Sequence, residues 1–107
     1  MISVLANTII EDTLKANKYS YANIDVVRQA FKEVGDFSLD AIYAKYIDSK
    51  KNIDRLTELQ ANCKSDYTYW SYVAEKETAQ LIKIICAKLL LSKINLDDLA
   101  EIKNNGA

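Results

Sequence analysis

The sequence predicts an all-α protein: a small helical bundle built on a long antiparallel helical hairpin, with two shorter helices before it and a short one after it. Three observations carry that expectation. Proline is absent and glycine occurs only as Gly35 and Gly106, so the residues that punctuate sheets and tight turns are nearly missing and little interrupts a helix. Apolar residues recur at helical spacing from Leu39 to Lys93 with one plausible break near Lys64. Hydrophobic residues make up 50% of the chain and charged ones 27%, the balance of a folded globular protein and not of a disordered one. With 107 residues, the chain is expected to form one domain over 1–107 around a single core.

The first helix is read over residues 2–16, where Ile2, Leu5, Ala6, Ile9 and Thr13 share a face. The segment NKYS supplies a break. A second apolar face, Ile24, Val27, Ala30, Phe31 and Val34, then runs to Gly35, a natural residue just past a helix end. Ser38 is a plausible N-cap, and Asp40 sits in the first turn, where the helix dipole favours negative charge.

The hairpin is read over about 38–63 and 66–93. In its first arm Leu39, Ile42, Tyr46, Ser49, Ile53, Leu56, Gln60 and Cys63 alternate at spacings of three and four, the period of a coiled-coil seam. Ser65 can cap the second arm, and Asn95 can cap a short terminal helix beginning LDDLAEI. The last few residues are expected to fray. Cys63 at the turn and Cys86 far along the second arm are too distant to bridge, because each helical residue advances about 1.5 Å. Both are expected as free thiols, read as small core residues.

The second arm opens with DYTYWSYV, which places Tyr67, Tyr69, Trp70 and Tyr72 around the helix and not along one stripe. Tyr67 is in phase with Ala74, Ile85 and Leu89 and is expected to serve the fold. Tyr69 and Tyr72 share flanks with Gln80 and Lys83 and are expected at a contact. Trp70 is in phase with both Leu81 and the charged Glu77 and Lys88. A helix apolar on every side needs covering on every side. Either this is the central helix of the domain, wrapped by the other helices, or part of its circumference meets another chain. Self-association is the simplest cover for the surplus, so the sequence predicts a homo-oligomer.

Several classes of chemistry lack their residues. Histidine is absent, which removes the commonest general base and metal ligand. Two separated cysteines cannot make a zinc site, and Glu75 and Glu77 point to different faces. Asp97 and Asp98 read as first-turn charges after Asn95, and Glu77 as the partner of a lysine or a tyrosine hydroxyl. No glycine-rich loop is present to cradle phosphate. The expectation is therefore no catalytic residue, no metal, no cofactor and no enzyme activity.

The N-terminal MISVLANTIIED lacks a basic lead-in and no long uncharged apolar stretch follows, so a cytoplasmic protein without a membrane partner is expected. Lys76, Lys83, Lys88 and Lys93 are scattered around their helix and give no basic membrane-facing side.

The reading that follows is a small non-enzymatic protein–protein interaction module of the adaptor or inhibitor type. Its expected contacts are Tyr67, Tyr69, Trp70 and Tyr72, with Lys64 and Asp66 as a polar rim. The alternative is nucleic-acid or nucleotide binding by a helix-turn-helix-like segment around 24–51. It would use Arg28, Lys45, Lys50 and Lys51, with stacking from Tyr43 or Tyr46. A net charge of -1 supplies no global attraction for phosphate.

Overall fold

The computed structural model describes residues 2–16, 21–32 and 38–105, with side chains for 6–16, 21–32 and 38–92. Its elements are α1 (Ile2–Ala16), α2 (Ile24–Lys32), α3 (Leu39–Ala61) and α4 (Asp66–Asn105). Among the described residues there is no strand. The molecule is all-α, and its two longest helices pack against each other as an antiparallel hairpin.

Local chemistry explains where the helices start. Ser38 has extended backbone (φ -63, ψ 155), and its Oγ accepts from the Ala41 N–H at 3.2 Å. Its carbonyl accepts from the Ile42 N–H at 3.0 Å, so Ser38 is the N-cap its sequence position predicts. Asn23 does the same for α2, with Oδ1 accepting from Val26 N–H at 3.2 Å and its carbonyl from Val27 N–H at 3.2 Å. The hairpin turn closes at Asn62, whose backbone and side-chain N–H groups both donate to the Glu58 carbonyl. Ser65 opens α4, its carbonyl accepting from the Tyr69 N–H at 2.9 Å.

The α3 seam is where its spacing puts it. Ile42, Ser49 and Leu56 are buried, and Leu39, Tyr46, Ile53, Gln60 and Cys63 are half-buried between and beyond them. The main packing partner of each of α1, α2 and α3 is α4. Ala6 and Ile10 of α1, Val27 and Phe31 of α2, and Ile42 of α3 meet Leu81, Ile85, Cys86 and Leu89 of α4 in one core. Burying a leucine- or isoleucine-sized side chain contributes roughly 1.5–3 kcal/mol, so these four α4 residues anchor all three partners.

Two expectations need correction. The separate helix after Asn95 does not exist: α4 runs unbroken from Asp66 to Asn105. No proline or glycine lies between those residues, and an asparagine alone does not stop a helix whose backbone bonds can continue. The side chains of Asn95, Asp97 and Asp98 lie outside the described residues, as do Val34 and Gly35. The second correction concerns Tyr67, which is 87% exposed and not part of the fold's interior. Its phase does match the buried Ile85 and Leu89, but phase gives a direction around the helix and not a depth along it. Among the described residues the buried positions of α4 begin at Thr78 and Ala79, about three turns beyond Tyr67 at about 3.6 residues per turn.

Cys63 and Cys86 are both free thiols. Burial pushes the Cys86 thiol up to about 12, as an apolar surround disfavours the thiolate.

Candidate functional site

The first turns of α4 carry the aromatic cluster, and the loop before α2 completes it. Tyr21 stacks on Trp70 with ring centroids 5.0 Å apart and planes tilted by 40°. Tyr69 meets Trp70 in an edge-to-face arrangement, with centroids 5.4 Å apart and planes at 90°. Both are favourable aromatic geometries. The trio nevertheless faces solvent, with Tyr21 51%, Tyr69 37% and Trp70 49% exposed.

Two side chains of α4 hold Tyr21 in place. Glu77 accepts from the Tyr21 backbone N–H at 2.7 Å through Oε2. Thr78 Oγ1 accepts from the Asn23 N–H at 2.8 Å while donating to the Ala74 carbonyl at 2.8 Å. The loop therefore runs across α4 with two of its N–H groups satisfied by adjacent residues of one helix. Glu77 thus finds a backbone donor and not the lysine or tyrosine hydroxyl expected for it. Tyr21 is absent from the sequence-based contact set, and only a tertiary contact reveals it.

The other predicted contact residues are divided. Lys64, Asp66 and Tyr67 are exposed at the hairpin end. Tyr72 is half-buried. Its helical phase coincides with the buried Ala79 and Cys86, the side of α4 that lies between two grooves bordered by α3. Tyr72 is thus more covered than Tyr67.

Of the alternative cationic set, Lys45 and Lys51 border one groove between α3, α4 and the start of α2. Arg28 sits on α2 and is engaged elsewhere: its Nε and Nη2 donate to Glu11 Oε1 and Oε2 at 3.0 and 3.1 Å, tying α2 to α1. The hydrogen bond to Arg28 holds the Glu11 carboxyl below its ordinary value, and the same bond raises Arg28. Lys50 is exposed and does not line that groove. Tyr46 is covered by Lys83, whose Nζ lies 6.0 Å from the ring centroid, and Tyr43 is exposed. The four cations do not converge on one surface.

Among the described residues no group of three or more Cys, Asp or Glu side chains could hold a metal ion. No helix of the described residues is long and apolar enough to cross a membrane. The class defined by these observations is an all-α bundle organised on a helical hairpin. Comparison with protein-family models, with curated proteins and with solved structures gives no match.

Proposed function

We propose that this chain is a non-enzymatic helical protein–protein interaction module, of the accessory adaptor or inhibitor type, that works as a homo-oligomer through the aromatic start of α4. The observation that carries the reading is the exposed trio Tyr21, Trp70 and Tyr69, packed ring against ring and held by the Glu77 bond to the Tyr21 backbone. Exposed aromatics with a polar tip are the residues that dominate protein contacts when covered. A second copy is the favoured cover. Lys64 and Asp66 flank the patch with opposite charges, so a twofold arrangement can bring each beside its counterpart on the other copy. The net charge of -1 gives two copies little to repel. A cytoplasmic setting belongs to the same proposal.

Light scattering after size exclusion at micromolar protein tests it. A dimeric mass is expected for the natural chain, with Tyr69→Ala and Trp70→Ala each weakening dimerisation by about 1–2 kcal/mol, the range for interface aromatics. Circular dichroism on the same samples checks that the helices remain. A monomeric mass across the accessible concentration range overturns the reading.

A further inference from the structure

We infer that the groove between α3 and α4 is a docking site for an acidic amphipathic helix of a partner protein, separate from the aromatic patch. The groove has a volume of about 870 Å³. It runs along α3 from Ala41 to Arg55, roughly 21 Å at about 1.5 Å per residue. Among its polar and charged lining stand small or apolar side chains, Ala41 and Ala44 from α3 and Ala74, Ala79 and Ile82 from α4. Small side chains let another helix approach closely, and a trough between two antiparallel helices suits a third helix better than an extended strand, which would find no backbone edge to pair with.

Charge selects the occupant. Lys45, Lys51 and Arg55 stand on the α3 side of the groove, and among the described residues none of them forms an ion pair. Lys45 is half-buried in that state. Arg55 is held in position by a neutral partner, with Nε and Nη2 donating to Asn52 Oδ1 at 3.2 and 2.7 Å. The N-terminal end of α2, through Asn23 and Val26, borders the same groove and adds the positive end of a helix dipole. Val26 offers an exposed apolar side chain there. Asp48 and Glu75 also reach the groove. They disfavour a continuous polyanion such as a nucleic-acid strand and suit a peptide carrying mixed charges with an acidic excess. Neither Tyr21 nor any of the four α4 rings lines it, so the proposal stands independently of self-association.

The test uses the full chain and two labelled helical peptides of about eighteen residues, or about five turns. One carries leucine and alanine on one face flanked by glutamates, and the other has lysines in their place. Fluorescence anisotropy is expected to show the glutamate peptide binding about tenfold or more tightly than the lysine peptide. The double charge reversal Lys51→Glu with Arg55→Glu, both on exposed positions, is expected to invert that preference. Ala44→Trp, also at an exposed position, is expected to weaken both peptides by blocking the wall, and Leu91→Ala, exposed and outside the groove, to leave both unchanged. Absence of binding by either peptide, or a preference that survives the charge reversal, overturns the proposal. Tighter binding of an oligothymidine than of the glutamate peptide assigns the groove to nucleic acid instead. A change in the protein's own mass on Ala44→Trp assigns it to a second copy.

Discussion

Replacing Thr78 with valine isolates the contact that fixes the loop before α2. Thr78 is 7% exposed, and valine keeps its shape and branching while removing the oxygen. Two bonds are lost. The one to the Ala74 carbonyl matters little, because that carbonyl also serves the helix. The one from the Asn23 N–H matters more, since it leaves a donor without its acceptor. An unsatisfied buried donor costs about 1–3 kcal/mol, and because Asn23 itself is exposed, water restores part of this. The expected loss is therefore at the low end, about 1–1.5 kcal/mol. Thr78→Ser keeps the oxygen and sheds a methyl, for about 0.8 kcal/mol, so global stability alone does not separate the two variants. Amide exchange does. The Asn23 amide is expected to be protected in the natural chain and in Thr78→Ser, and to exchange several-fold faster in Thr78→Val, by about tenfold for each 1.4 kcal/mol. Urea melts monitored by circular dichroism supply the global figure. If the Asn23 amide is unprotected in the natural chain, or exchanges alike in both variants, the loop is not held through Thr78 and the reasoning fails.

Other outcomes follow from the same structure. Tyr67→Ala should change stability by no more than about 0.5 kcal/mol in a thermal or urea melt, as an exposed substitution does, whereas Leu81→Ala should cost about 2–5 kcal/mol. Ser38→Ala should cost about 0.5–2 kcal/mol through loss of the α3 cap, and Ser38→Asp should retain most of it. Thiol titration with a disulfide reagent near pH 8 should count one reactive group in the folded chain, Cys63, and two in denaturant. Because burial raises Cys86 from 9.0 to about 12, the unfolded chain releases its proton first. The stability contributed by keeping that thiol neutral is therefore full below pH 9 and is lost as pH rises from 9 toward 12, which melts at stepped alkaline pH can follow.

Much of the fold was written locally. The absence of proline, the 3.6-residue period and the Ser38 cap act within a few residues, and those are the signals a linear reading receives. The α3 seam was legible for the same reason, as each of its positions repeats a local rule. The exposure of Tyr67 is not legible in the sequence, because periodicity projects onto a circle and says nothing about where along the helix a neighbour ends. Asn95 carries no joint because a capping residue marks a helix start only when the preceding turn has stopped, and nothing before it stops α4. The Asn23 cap was available in the sequence, an asparagine just ahead of an apolar-periodic segment. Its bond to Thr78 and that of Tyr21 to Glu77 were not, since they join residues 55 and 56 positions apart.

That separation also orders events in time. The hairpin of α3 and α4 joins neighbours in the chain across a short turn, so its zipping closes small loops at little entropic cost. Docking the Tyr21–Asn23 loop onto Glu77 and Thr78 closes a loop of more than fifty residues and yields few contacts until α4 is already helical. The hairpin should therefore form first on refolding, with α1 and α2 adding late and detaching early. In native-state hydrogen exchange the amides of α2 should open with a smaller free energy than those of α4 between Leu81 and Leu89, which makes the N-terminal pair the unit whose release exposes the core without dissolving the long helices.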